Sequence, residues 1–179
     1  MRKKILVISS SPRKNGNSEA LADAFIEGAR DGGSTVEKIS LYDKTIGFCR
    51  GCLACLKTGR CTIRDDADTI AQKMLTADVL VFATPIYYYE MSGQMKTMLD
   101  RANPLYPAGY AFREVYFLSA AAEDGDGTDA RAVSGLEGWI ECFPKARLAG
   151  TVFAGGVSGV GEIGGHPALR RAYEMGKAV

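Results

Sequence analysis

Residues 4–18 read KILVISSSPRKNGNS. Lys4–Ser9 is an unbroken apolar run closed by a serine, the pattern of a strand buried on both faces in a parallel sheet. The loop Ser9–Ser18 runs straight into an amphipathic stretch, Ser18–Arg30, which places Leu21, Ala24, Phe25, Gly28 and Ala29 on one helical face. A buried strand that feeds a helix through a short polar loop is the opening of a βαβ unit.

The same alternation continues along the chain. Thr35–Leu41 alternates apolar with polar residues and predicts a more exposed strand. Ala67–Leu75 predicts a helix with Asp65 or Asp66 as its N-cap. Asp78–Thr84 predicts the third strand, and Pro85 is expected to end it sharply. Met95, Met98, Leu99 and Ala102 then make a helical face, Glu114–Ala120 the fourth strand, Ala130–Glu141 a helix and Gly150–Gly155 the fifth strand. Pro167 suits the first turn of a last helix with Leu169, Ala172, Tyr173 and Gly176 inward. Five strands separated by crossovers imply an α/β fold: a flavodoxin-like, doubly wound, five-stranded parallel sheet of order 2-1-3-4-5 with helices on both faces. A ligand is expected at the switch point, beyond the C-terminal ends of strands 1 and 3.

The chain has 179 residues, which suits one domain over 1–179, with the cysteine-rich stretch at about 47–63 as an insertion. Twenty-two basic against 21 acidic residues leave a net charge of +1, with no basic excess for nucleic acid and no polybasic tail for a membrane surface. No apolar run approaches the roughly 18–20 residues of a membrane span. The run Ile5–Ile8 is too short for a signal peptide, so the cytoplasm is the expected compartment.

Two loops carry the chemistry. Ser9–Ser18 brings four serines, two asparagines, Arg13 and Gly16 to a helix N-terminus, where backbone N–H groups and the dipole favour an anion. Neither a G-x-x-x-x-G-K-[ST] nor a G-x-G-x-x-G follows the strand, so this is neither a P-loop nor a dinucleotide fingerprint. Thr84–Glu90 reads TPIYYYE and puts three tyrosines at the switch point, walls for a flat heteroaromatic ring or contact area for a second copy. A phosphate and a flat ring together describe a mononucleotide, and flavin fits best. Gly159–Gly164 (GVGEIG) matches the dinucleotide pattern by letter only, because no acidic residue follows about 20 positions on; it reads as a glycine-rich loop able to line a pocket.

Cys49, Cys52, Cys55 and Cys61 form C-x2-C-x2-C-x5-C. Thiolates are the soft ligands that iron–sulfur clusters and zinc select. Zinc sites more often use two C-x2-C knuckles with a longer spacer, so the compact spacing favours [4Fe–4S]. Three states stay open: a cluster, free thiols including a redox pair, and zinc. Cys142 reads as a buried small hydrophobe, Trp139 as packing, His166 as a loop or cap residue, and Asp65, Asp66 and Asp68 as a helix N-terminus. No side chain is required as an acid or base.

The chain resembles the flavodoxin-like NADPH-dependent FMN reductase superfamily, and within it the iron–sulfur flavoproteins. The resemblance rests on SSPRKNGNS (10–18), TPIYY (84–88), the K-x-x-x-D-R of Lys96, Asp100 and Arg101, the compact cysteines and the C-terminal GEIGGHPALRRAYEMGK. Ser10 stands where the family has a glycine. The resemblance implies that Ser9, Ser11, Arg13, Asn17 and Ser18 hold the FMN phosphate. It implies that Pro85, Ile86, Tyr87 and Tyr88 flank the isoalloxazine ring, with Ser119, Ala120 and Ala121 as its other border. It further implies NAD(P)H as electron donor, a small-molecule or protein acceptor, Cys49, Cys52, Cys55 and Cys61 as ligands of a [4Fe–4S] cluster, and a homodimer or homotetramer. A plain FMN or quinone reductase with metal-free cysteines, and a non-enzymatic electron carrier, are the alternatives.

Overall fold

The structure of the chain, a computed structural model, describes residues 2–179. Its parallel strands are β1 (Lys4–Ser9), β2 (Thr35–Ser40), β3 (Val79–Tyr87), β5 (Glu114–Ala120) and β6 (Arg147–Ala154), with a two-residue strand β4 (Glu90–Met91). The helices are α1 (Asn17–Asp31), α2 (Cys55–Thr58), α3 (Asp66–Thr76), α4 (Gly93–Arg101), α5 (Ala130–Glu141) and α6 (Pro167–Lys177). The sheet order is β2-β1-β3-β5-β6, which is the expected 2-1-3-4-5 once β4, paired antiparallel to β3, is set aside.

Side chains alternate across each strand, so one run of apolar residues feeds two cores. Leu80 and Phe82 join α3, α4 and α5 on one face; Val79, Val81 and Ala83 join α1 and α6 on the other. The helix α1 buries Leu21, Ala22, Phe25, Ile26 and Ala29. It approaches α6 where Gly28 faces the backbone of Tyr173 and Gly176 faces the backbone of Phe25. A Cβ at either glycine would fall well inside contact distance of a carbonyl oxygen that cannot swing away.

Three expectations need correction. The third strand does not stop at Pro85 but continues to Tyr87. Proline restricts Thr84 to extended backbone, and extended backbone is what a strand needs. Pairing Ile86↔Met91 and Tyr87↔Glu90 then closes a two-residue hairpin, with Tyr88 and Tyr89 at φ of 51° and 67°. Cys142 is exposed, not buried. The buried face of α5 is Ala132, Leu136 and Ile140, and a residue two beyond Ile140 is turned about 200° around the helix from it. Leu41 leaves the second strand to open a 3-10 turn, Leu41–Asp43.

We expect Gly176→Ala to cost about 1–3 kcal/mol by overpacking, read as a lower urea midpoint at unchanged m. An unchanged midpoint would show that the α1–α6 approach is looser than described.

Candidate functional site

Parallel strands end on one edge of the sheet, and the loops following β1, β3, β5 and β6 meet there. The helix α1 begins after Gly16, which is extended and supplies no side-chain cap. Its first-turn N–H groups therefore lack the partner that a Ser or Asp cap would give. The hydroxyls of Ser9 and Ser18 are buried and have no hydrogen-bond partner among the described residues. A Cβ at Gly16 would collide with the Ser11 hydroxyl, so the loop is drawn tightly round this point. Ser11 donates to the Arg13 carbonyl at 2.7 Å and so shapes the turn. Ser10, in the family's glycine position, is turned inward: its hydroxyl meets that of Ser92 at 2.8 Å and reaches the Ala83 carbonyl at 3.3 Å.

One narrow cleft runs past this helix end. Ser11, Arg13, Asn17 and Ser18 wall it on one side, Pro85 and Tyr87 on another, and Ala120 and Val157 close it. The other residues expected at the site lie around it. Ser9 is buried at the end of β1, and Ile86 packs into the core. Ser119 is fully buried and donates to Asp129 at 2.7 Å. The backbone of Ala121 pairs with Ala154 and Val157. Tyr88 stands at the hairpin tip, 98% exposed.

The sequence read one further contributor only as a pocket-lining loop and missed another. The glycine-rich segment after β6 lies along the phosphate-type loop: Arg13 donates to the Ser158 carbonyl at 2.8 Å and Asn17 to the Gly159 carbonyl at 2.9 Å. Asn17 also accepts from the Ile163 N–H at 3.3 Å, so its amide bonds this strap at two points. Within the strap, the Ser158 and Gly159 N–H groups hold the Glu162 carboxyl below its ordinary value. The GVGEIG loop, Gly159–Gly164, was expected to line a pocket; it touches Asn17 through Gly159 and Ile163, while the cleft itself is closed by Val157, just ahead of that motif. Nothing in the sequence pointed to Asp129.

The four cysteines Cys49, Cys52, Cys55 and Cys61 line one hollow beside the end of α4. Each sulfur has a hydrogen-bonding neighbour. Gly51 N–H reaches Cys49 at 3.5 Å, Thr62 Oγ1 lies 3.7 Å from Cys52, Asn103 Nδ2 reaches Cys55 at 3.2 Å and Arg101 Nη2 reaches Cys61 at 3.3 Å. The Ala54 N–H, aided by Thr62 and Arg50, lowers the Cys52 thiol below the usual thiol range. Among the described residues no three Cys, His, Asp or Glu side chains form a group that could hold a metal ion.

The segment around this hollow has little regular structure and is tied down by charge. Arg101, with a fully buried side chain, makes two bonds to Asp65 at 2.7 and 2.8 Å and donates to the carbonyls of Gly47 and Ile63. Asp65 also accepts from Gly47 N–H and caps α3 through Ala67 N–H. Burial alone would raise the Asp65 carboxyl, but Arg101 and these N–H groups carry it below its ordinary value of 3.8. Asp68 is lowered too, first by Arg60, with burial opposing and the Cys61 N–H and Arg64 assisting. Asp65 caps α3 as the helix-terminus reading expected; that Asp65 and Asp68 also anchor arginines was not part of that reading. His166 is the N-cap of α6, its Nδ1 accepting from Ala168 N–H at 3.1 Å.

A doubly wound parallel sheet with an uncapped helix end and an aromatic edge at its switch point defines a flavodoxin-like α/β protein. The model of the NADPH-dependent FMN reductase family matches residues 3–169, and the chain belongs to that family. An iron-sulfur flavoprotein of Archaeoglobus fulgidus is 39% identical over 101 residues, which is 56% of this chain and 46% of that protein. At that level the chain spans about half the length of the curated relatives it matches. An iron-sulfur flavoprotein of Methanosarcina thermophila is 29% identical over 168 residues, 92% of this chain and 84% of that one. Among solved structures, an NAD(P)H:quinone oxidoreductase from Methanothermobacter marburgensis superposes with a TM-score of 0.76 at 18% identity, covering 99% of this chain and 96% of the other; this shows the shared fold. No helix among the described residues is long and apolar enough to cross a membrane.

The lowered Asp65 makes stability pH-dependent. The unfolded chain takes up the proton near 3.8 and the folded chain only below that, so the contribution is complete above the ordinary value and fades as pH falls through the depressed one. Asp65→Asn keeps a capping side chain and removes the charge. We expect the variant to be less stable at neutral pH and to lose less stability than wild type as pH drops below about 4, measured by urea unfolding across pH. Parallel curves would refute this assignment.

Proposed function

We propose that the whole chain is one FMN-binding unit acting as an NAD(P)H-dependent FMN oxidoreductase. The observation that carries this reading is the cleft at α1: an uncapped helix end, a buried Ser18 hydroxyl with no partner among the described residues, and Arg13 beside it. Buried polar groups without partners are rare in native proteins, and two of them at one loop suit the oxygens of a phosphate. Ser9, Ser11, Arg13, Asn17 and Ser18 would hold that phosphate, with Asn17 also latching the strap. Pro85 and Tyr87 wall the cleft where a ring would lie, with Ile86 behind them and Tyr88 beyond; Ser119, Ala120 and Ala121 would border its far side.

Bound FMN would supply the chemistry, accepting hydride from NAD(P)H and releasing electrons to a small-molecule or protein acceptor. The chain's own part is to bind, orient and partly desolvate the cofactor. The bond from Ser119 to Asp129 fixes the end of β5, and the Arg13 and Asn17 contacts keep the strap against the first loop.

Cys49, Cys52, Cys55 and Cys61 would hold a [4Fe–4S] cluster as the onward electron path. Their donor set supports anionic sulfur, because N–H groups reach several of the thiols. They line a common hollow, and their compact spacing lacks the two paired knuckles with a longer spacer that zinc sites more often use. A metal-free quinone or FMN reductase is the alternative. The exposed Tyr88, Tyr89 and Phe48 offer contact area for a homodimer or homotetramer, and the cytoplasm is the compartment that suits four reduced thiols.

Heat-denatured supernatants of the purified protein should release FMN, and FMN titrated into stripped protein should lose its fluorescence. Neither effect would be seen if the reading is wrong. Iron and acid-labile sulfide per chain after anaerobic purification decide the cluster. Ser18→Ala gives a sharper test. A lost bond to a charged phosphate costs about 1.5–3 kcal/mol, or roughly 10- to 150-fold in affinity. The FMN-free variant should melt no lower than wild type, because the Ser18 hydroxyl has no partner among the described residues to lose. A lowered melting point with unchanged FMN affinity would make Ser18 a purely structural residue.

A further inference from the structure

We propose that Arg101 and Asn103 are positioning residues of the thiol hollow, holding Cys61 and Cys55 in place and setting the reduction potential of the cluster bound there. The two residues lie at the end of α4 and the start of the 3-10 turn Asn103–Leu105. Asn103 Nδ2 donates to Cys55 at 3.2 Å and Arg101 Nη2 to Cys61 at 3.3 Å. Cys55 is buried and Cys61 half-buried, while Cys49 and Cys52 are exposed. The donors near the exposed pair, Gly51 and Thr62, belong to the cysteine segment itself. The sheltered pair is addressed from the folded body of the protein.

Arg101 is held rigidly for this role. Two bonds to Asp65 and bonds to the Gly47 and Ile63 carbonyls fix its guanidinium from both ends of the cysteine segment. Its Nε–H, buried, has no acceptor among the described residues, so the side chain carries one donor more than the protein uses. A lysine keeps the charge but has a single nitrogen, and cannot bond Asp65, two carbonyls and a sulfur in a fixed fork. Hydrogen bonds to the sulfurs are among the terms that set cluster potentials. Each one stabilises negative charge on sulfur, and the reduced cluster carries more of it, so losing a donor moves the potential down. The effect on potential rests on the cluster reading above; the positioning of the two thiols does not.

The test uses the FMN-loaded full chain as wild type, Asn103→Ala and Arg101→Lys, with FMN content and circular dichroism as fold controls. After anaerobic loading with ferrous iron and sulfide, Asn103→Ala should keep its iron but show a more negative midpoint potential by electron paramagnetic resonance titration. Arg101→Lys should load less iron or show an altered resonance. Wild-type potential, iron content and resonance in both variants would overturn the proposal. If wild type itself takes up no iron, the cluster reading fails separately, and alkylation of the iron-free proteins by iodoacetamide, resolved by mass spectrometry, decides the positioning. Arg101→Lys should then alter the alkylation rate several-fold at Cys61, and Asn103→Ala at Cys55, with Cys49 unchanged as the internal standard. Equal rates at all sites would overturn it. Should Arg101→Lys fail the fold controls, Asn103→Ala, at a half-buried turn position, decides alone.

Discussion

In a parallel sheet joined by crossovers, all strands end on the same edge, and everything this protein presents for function depends on that constraint. The serine-rich loop leaves β1, the cysteine segment follows β2, the tyrosine hairpin extends β3, the Ser119–Ala121 stretch closes β5 and the glycine strap leaves β6. Five segments far apart in the chain are gathered along one rim by backbone pairing alone. The two apolar cores, one on each face, hold that pairing and leave the rim free to be polar.

The rim is not uniformly rigid. The first loop is braced from behind by the Ser10–Ser92 contact and from the side by the strap through Arg13 and Asn17. The cysteine segment has only the four-residue α2 as regular structure and leans on the buried Asp65–Arg101 pair. Removing one member of such a pair typically costs about 3–5 kcal/mol, because the other charge is left buried and alone. An ion pair of this kind adds little net stability over apolar packing; what it gives here is register, by fixing Gly47 and Ile63 to one guanidinium.

Strands and helices were legible in the sequence because the apolar period is local. The bounds of β1, β5 and α5 were read as they stand. The errors are those of local rules applied without partners. Pro85 looked like a strand end until β4 supplied a pairing partner for Ile86 and Tyr87. Cys142 looked buried by residue type, when its angle from the Ala132–Leu136–Ile140 face puts it outside. The phosphate-type loop was recognisable because its residues are contiguous, and the cysteines because their spacing is short.

Periodicity and short motifs thus determined the strands, the helices and the two loops at the switch point, since each depends on residues within a turn or two of one another; the sheet order was expected from the fit of that alternation to a flavodoxin-like fold, and the strand pairing bears it out. Tertiary structure alone decided that Asn17 latches a strap some 140 positions away, that Asp129 holds Ser119, and that Arg101 and Asn103 address two sulfurs from another element. Hydrogen bonds and buried charges between distant segments leave no periodic trace along a chain. They exist only once the sheet has brought those segments to one edge.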